Sequence, residues 1–344
     1  MPVDCWLSRG TIAKITSSDG SGFDALLDAH DVDLRYIEGP RYIGPPLGPD
    51  RDLWGVPRTA VRLTLHDGTG EHHELLHEVR ESPLAGCGSP EDVERYPGWP
   101  SPDWFDYSGT AAQCAAIRNA GRVVVFMGDR LNRIAQLKPA MYLRGTERIF
   151  LDLLESPAVA DAIFAKIRAF YLEYETRILE SARGGIDILC TGDDFGGQNG
   201  PLISPDLWRR HLGPGFASYV AAAKDAGVRV MHHTCGAVRP LVPDLFVRGL
   251  DILQSLQPEA AGMDPVSLKR EFGRDLSFQG GISIQRVLPR GTPAEVREHV
   301  RRVFSALAPG GGYLAGTSHN IQADTPLANI EALFDAYRDF GRYR

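Results

Sequence analysis

His233 and Cys235 stand two residues apart at the end of the apolar run Val228–His233. In an extended chain, residues i and i+2 project to the same side, so one imidazole and one thiolate can meet one ion. Zinc takes such nitrogen and sulfur donors at about 2.0 to 2.3 Å, and a catalytic site needs three protein ligands plus an open position. His319, at the end of another apolar run, offers the third donor. Read alone, the His-x-Cys pair has a plainer alternative, a packed histidine beside a buried inert cysteine. His232 alternates to the opposite face and is expected to be structural.

Other polar residues collect at comparable places. Asp193 and Asp194 follow the run Ile186–Thr191, Gln254 and Gln257 belong to the end of Leu250–Leu256, and Gln279 ends Leu276–Gln279. The two aspartates have three readings: metal ligands, partners that orient a histidine or contact substrate, or a helix cap and loop pair. The second is favoured.

The elements that must position these groups are short and regular from about residue 121 onward. Strand candidates are Arg122–Met127, Ile186–Thr191, Val228–His233, Leu250–Leu256, Leu276–Gln279 and Gly312–Ala315. Helical stretches alternate with them. Pro157 opens a long one that ends near Gly184, and Ser204-Pro205, Thr292-Pro293 and Thr325-Pro326 each read as an N-cap followed by proline. Apolar strands alternating with helices mean a parallel sheet covered on both faces. Val3–Leu7 and a strand in the Leu34 region bring the count to about eight, which favours a (β/α)8 TIM barrel. In such a barrel the strand ends share one mouth, where catalytic groups lie. No GxGxxG motif follows a strand into a helix, which argues against a dinucleotide fold.

Residues 1–120 read differently: first strands, then an irregular β-rich insertion within what is expected to be a single barrel domain spanning residues 1–344. Strands are expected at Leu34–Glu38, Asp52–Val56, Arg62–His66 and Leu75–Arg80, with loops at Tyr42–Asp50 and Pro97–Pro102. The second loop, flanked by Trp99 and Trp104, has the aromatic character of a segment that covers a site. His72, His73 and His77 are expected to be ordinary surface histidines.

Composition narrows the function classes. The 344 residues carry 37 Lys and Arg against 44 Asp and Glu, a formal charge of -7, which argues against nucleic-acid binding. No apolar run approaches the roughly 20 residues that span a bilayer, and the first residues lack the features of a signal peptide. Five scattered cysteines without a CxxC pair form no disulfide framework. A cytoplasmic protein without membrane association is expected. The first strand starts almost at residue 1, so an N-terminal helix is expected to be missing or the start to be truncated.

Several motifs together resemble the uroporphyrinogen decarboxylase superfamily. They are Tyr142-Leu-Arg-Gly-Thr-Glu147, Asp152-Leu-Leu-Glu-Ser-Pro157, Gly192-Asp-Asp-Phe-Gly-Gly-Gln198, Ser204-Pro-Asp-Leu-Trp208, His233-Thr-Cys-Gly236, Gly280-Gly-Ile282 and Thr317-Ser-His-Asn-Ile-Gln322. The resemblance implies the same (β/α)8 barrel. Its decarboxylases carry an arginine-rich segment just after the first strand, to grip porphyrinogen carboxylates. Here that stretch reads Val3-Asp-Cys-Trp-Leu-Ser-Arg9, without paired arginines.

A second branch of the superfamily comprises corrinoid-linked methyltransferases whose zinc is held by His-x-Cys and a later Cys. His233 and Cys235 match the first two ligands, and the later position falls on His319. The resemblance therefore implies a zinc-dependent methyltransferase moving a methyl group between a small donor or acceptor and a corrinoid. No DxHxxG corrinoid signature is present, so the corrinoid would arrive on a carrier protein. Zinc ligation is assigned to His233, Cys235 and His319, and catalytic roles to Asp193, Asp194 and His319. Substrate contacts are assigned to Tyr142, Arg144, Gln198, Gln257 and Gln279, although Arg144 could equally pair with Glu147. The alternatives are a metal-independent decarboxylase acting on a smaller substrate, and a non-catalytic barrel that binds a corrinoid protein.

Overall fold

The computed structural model describes residues 1–20, 22–128 and 133–343. Among them, seven parallel strands form one sheet: β1 (Leu34–Ile37), β6 (Val123–Phe126), β7 (Ile188–Gly192), β8 (Arg229–His233), β9 (Ile252–Leu256), β10 (Ser277–Ile282) and β11 (Tyr313–Thr317), in that spatial order. The N-terminal segment closes the ring. Val3 bridges in parallel to Ala315 and Leu7 to Ile321, while the Val3 carbonyl accepts N–H bonds from Asp33 and Leu34 at 3.0 and 3.2 Å. Residues 3–7 thus occupy the eighth position, between β11 and β1, and the architecture is the expected TIM barrel.

The strands are apolar because both faces are covered. Every residue of β7 and β9 is buried. Leu34, Val125, Ile188, Cys190, Met231 and Ile252 form their own buried cluster, which the alternation of side chains places inside the barrel. A larger apolar layer lies between the strands and the helices outside them.

The long helix runs Pro157–Ala182, and Arg183 takes a left-handed conformation at its end. Thr292 caps Pro293–Leu307 in a reciprocal capping box with Glu295. Thr325 does not repeat that device. Pro326 occupies the cap position of Leu327–Phe340 and the Thr325 hydroxyl is buried without a partner, so the Thr-Pro pair alone is not a sufficient start signal.

Between β1 and β6 lie two small antiparallel pairs. β2 (Arg41–Tyr42) pairs with β5 (Phe105–Asp106), and β3 (Arg58–His66) pairs with β4 (Glu71–Val79) as a nine-residue hairpin. The Arg62–His66 and Leu75–Arg80 expectations fall largely within that hairpin. Asp52–Val56 is a turn rather than a strand. The Asp52 carboxylate accepts the N–H groups of Trp54 and Val56 at 2.9 and 3.0 Å, a local bond that competes with strand pairing. The hairpin is anchored by a buried Asp52–Arg58 ion pair, by Glu74 against Ser8 and by the Lys14–Asp67 pair. His72 approaches the same Asp67, and His73 and His77 are exposed. The aromatic loop packs on its own neighbourhood: Trp99 lies edge-on to Trp54, which in turn meets Phe170 and Tyr171 of the long helix.

Candidate active site

Strand register brings the sequence-distant candidates level with one another. Gly192 pairs with His233, and His233 with Gln254. The β9–β10 register shifts between Gln279 and Gly280, where Ser255 on β9 takes φ 76°, an irregularity at the strand ends beside the site.

The ligand atoms of His233, Cys235 and His319 all lie within 4.8 Å of one another. Cys235 Sγ is 3.4 Å from His233 Nε2. A tetrahedral zinc with bonds of about 2.0 and 2.3 Å separates its donors by roughly 3.5 Å, so this pair already has the required spacing. The His233 and His319 rings meet edge to face at 5.4 Å. The donor set is two imidazoles and one thiol, chemistry that suits zinc. All three donors lie within reach of a single ion, and His319 Nδ1 is turned to Asn320 Oδ1, which leaves its Nε2 as the nitrogen available to ligate.

Protonation separates the two neighbouring donors. Burial pushes the Cys235 thiol up to about 12, and nearby Asp194 adds to the rise. A bound cation is what would make it a thiolate. Burial, followed by the charge of Arg133, holds His233 well below its ordinary value, so the imidazole is neutral and able to ligate. Its Nδ1 faces Gln254 Oε1 at 3.2 Å, leaving Nε2 toward Cys235. Gln254 is oriented in turn by Asp4, whose carboxylate accepts from Gln254 Nε2 at 3.5 Å, Gln279 Nε2 at 2.9 Å and Tyr36 at 3.0 Å. Burial raises the Asp4 carboxyl to about 7.

The two adjacent aspartates do different things. Asp193 is buried and accepts three backbone N–H groups, from Gln136, Leu137 and Lys138 at 2.7, 2.6 and 2.7 Å. It anchors the start of the helix Leu137–Arg144, where unpaired N–H groups need an acceptor. Burial nonetheless raises its carboxyl to about 6. Asp194 faces the cluster: it pairs with Lys138 Nζ at 2.7 Å, accepts the Cys235 N–H at 3.1 Å and lies 3.9 Å from His233 Nε2. Burial works against its charge, but Lys138 and His233 hold it well below the usual carboxylate range.

The remaining candidates separate. Gln257 accepts the Gly236 N–H at 3.2 Å and donates to Gln198 at 3.0 Å, tying the loop after β8 to the exposed loop after β7. Gln279 orients Ser255 and Asp4. Tyr142 lies beneath the Arg58 guanidinium, 4.2 Å from its ring centre. Arg144 is buried against Asp152 at 2.7 Å and the carbonyls of Leu84 and Ala85, with no bond to Glu147.

Sequence reasoning missed Asp4, Trp6, Arg133, Lys138 and Ser255. Trp6 stacks on His233 at 5.3 Å, and Ser255 Oγ lies 3.5 Å from Cys235 Sγ. Their only sequence signals were the alternation Asp4, Trp6 on the first strand and the i, i+4 pair Lys138, Tyr142. Trp6, His233, Gln254, Ser255, Gln279, Thr317, Ser318 and His319 line a narrow gap too tight to admit a water molecule. A wider, open hollow of about 430 Å³ between the first helix and the hairpin shares no residue with it and holds no comparable donor set.

Comparison with known proteins agrees with this architecture. A solved methyltransferase from Methanosarcina mazei superimposes with a TM-score of 0.67 at 16% identity, covering 99% of this chain and 94% of the other. A methylated-thiol–coenzyme M methyltransferase from Methanosarcina mazei is 23% identical over 65% of this chain and 60% of its own. A uroporphyrinogen decarboxylase from Coxiella burnetii is 22% identical over 55% of this chain and 49% of its own. The chain thus spans about half to three fifths of the length of these curated relatives. Residues 135–340, which hold all three proposed ligands, match the family described as uroporphyrinogen decarboxylase (URO-D). This barrel, with its donors gathered at one mouth, therefore belongs to the URO-D family.

Proposed function

We propose that the protein is a zinc-dependent methyltransferase that moves a methyl group between a small substrate and a corrinoid carried by a separate protein. The observation that carries this reading is the His233–Cys235–His319 cluster at the barrel mouth. Similarity to the methylated-thiol–coenzyme M methyltransferase supports the reaction class.

Zinc bound there would supply Lewis acidity at the heteroatom that gives or receives the methyl group. Gln254 holds His233 with Nε2 free to ligate. Asp194 steadies the Cys235 backbone and balances the Lys138 charge, while Asp193 fixes the helix from which Lys138 reaches in. Gln257 and Gln198 hold the loop after Cys235 in place. Trp6 covers one face of His233 and limits water beside it. Two imidazoles with one thiolate leave the ion a stronger Lewis acid than a two-thiolate set would. The reading places Tyr142 at the rim and treats Arg144 as a support of the barrel wall.

Elemental analysis of the purified protein tests the proposal. Zinc near one per chain, reduced in both Cys235→Ser and His319→Ala, supports it and justifies assays with free methylcobalamin. Absence of metal even after incubation with zinc sinks it. The metal-independent decarboxylase, supported by the Coxiella burnetii relative, would then lead.

A further inference from the structure

The β3–β4 hairpin is covered along one of its strands. β4 lies beside the first helix (Arg9–Asp19), where the Glu74 carboxylate accepts the Ser8 hydroxyl and the Gly10 N–H. Lys14 of that helix ties the hairpin turn to the barrel, bonding Asp67 and the carbonyls of Ala323 and Thr325. β3 stands outside this anchorage. Residues 59–64 are all exposed, and among the described residues no backbone hydrogen bond joins residues 59–66 to any element but β4. One edge of β3 therefore presents a row of unpaired N–H and C=O groups, a ready template for another strand.

Edges of this kind are ordinarily blunted by lysine, proline or a bulge. β3 has no lysine, no proline and no register break against β4. Residues paired across the hairpin share a face, so Val61, Leu63 and Leu65 lie on one side together with Leu76. Val61 and Leu63 are 43% and 39% exposed. These apolar positions are symmetric about Leu63. A twofold axis there sets Leu63 against its own copy, Val61 against Leu65 and Arg62 against Thr64. An axis at Arg62 would oppose two arginines, and like charges directly opposite are destabilising. An axis at Thr64 would bring Arg62 to His66 and Val61 to Asp67, which is already committed to Lys14. An axis at Val61 would set Leu63 against Thr59 and Leu65 against Pro57. The Leu63 register matches apolar with apolar and keeps the arginines apart. Such self-complementarity fits a second copy of this chain rather than an unrelated strand.

We propose that β3 is a dimerisation edge: two copies pair antiparallel through residues 60–66 about a twofold axis at Leu63, joining both hairpins into one sheet with a continuous apolar face. An isolated two-stranded hairpin is marginal in water, whereas three or more strands with an apolar face hold together, so pairing stabilises both arms. The anchorage through Lys14 and Glu74 fixes each arm to its barrel before the copies meet. The proposal is independent of the methyltransferase reading, since it uses none of His233, Cys235 and His319.

Sedimentation equilibrium of the full chain tests it. At about 100 µM the protein is expected to be mostly dimeric, as a contact at the small end of the interface range allows. Leu63→Arg and Leu63→Glu should each be monomeric, because the axis sets like charges against each other. Mixed in equal amounts, the two variants should pair with one another and restore the dimer, which rules out misfolding as the cause of their dissociation. Cysteine substitution reads the register. Under oxidation by copper phenanthroline, Leu63→Cys should form a covalent dimer at least about fivefold faster than Val61→Cys or the unsubstituted chain, since only residues directly opposite come within disulfide reach. A protein still monomeric at about 100 µM, where even a small specific interface should show, overturns the proposal and leaves the edge to a different chain. A dimer that survives Leu63→Arg, a charge-swapped mixture that stays monomeric, or equal cross-linking through positions 61 and 63 overturns it as well.

Discussion

Gln254 Oε1 lies 3.2 Å from His233 Nδ1, while Nε2 on the far side of the same ring lies 3.4 Å from Cys235 Sγ. Because the Gln254 amide nitrogen is turned toward Asp4, its oxygen is what His233 meets. The imidazole must then carry its proton on Nδ1 and present a lone pair at Nε2, the tautomer a metal ligand needs.

Removing that hydrogen bond should weaken the metal site without unfolding the barrel. Gln254→Ala is expected to lower zinc affinity by about 10- to 100-fold, the usual range for an outer-shell partner of a ligating histidine. Gln254→Glu, which still accepts from Nδ1, should recover most of it. Chelator competition measures both, and unchanged affinity in the alanine variant would show that Gln254 does not set the tautomer.

Arg144 and the cluster should be separable. Arg144→Ala leaves Asp152 buried with only the half-exposed Arg148 as partner, so a loss of about 3 kcal/mol or more is expected. Denaturant unfolding reads that loss, whereas zinc affinity in the folded variant should stay within about twofold, since Arg144 touches none of the ligands. A large fall in zinc affinity with normal stability would place Arg144 in the site after all.

Asp193→Ala should destabilise the chain by about 2 kcal/mol or more, because three buried N–H groups lose their acceptor together. Amide hydrogen exchange should speed up first in the helix Leu137–Arg144. Exchange that is unchanged there would remove the anchoring role.

The Asp4 carboxyl contributes a pH dependence of known sign. Its folded value of about 7 exceeds the ordinary 3.8, so the folded state binds the extra proton between those limits. Stability should therefore fall as pH rises from about 4 to about 7, and level off above. In Asp4→Asn that slope should be lost, whatever the variant's absolute stability. Unfolding free energies at several pH values check this, and a slope surviving in the variant would assign it elsewhere.

The amino-acid sequence by itself determined the barrel and marked the three side chains, His233, Cys235 and His319, that it gathers at one mouth. Apolar strands such as Val123–Phe126 and Ile188–Gly192 need cover on both faces, and the alternating helices supply it. The His-x-Cys spacing is local, and His319 follows its own strand, so a period of two was enough to aim those donors at one mouth. Tertiary structure alone decided what surrounds them. Nothing in Asp193-Asp194 says that the first carboxylate turns to a helix start and the second to Lys138 and Cys235. Asp4 reaches Gln254 across 250 positions of sequence, and Arg144 finds Asp152 rather than the rim. Local periodicity sets which face of an element a side chain occupies. Strand register and the closure of the ring through Val3 set which neighbour it meets there, and those are properties of the assembled barrel.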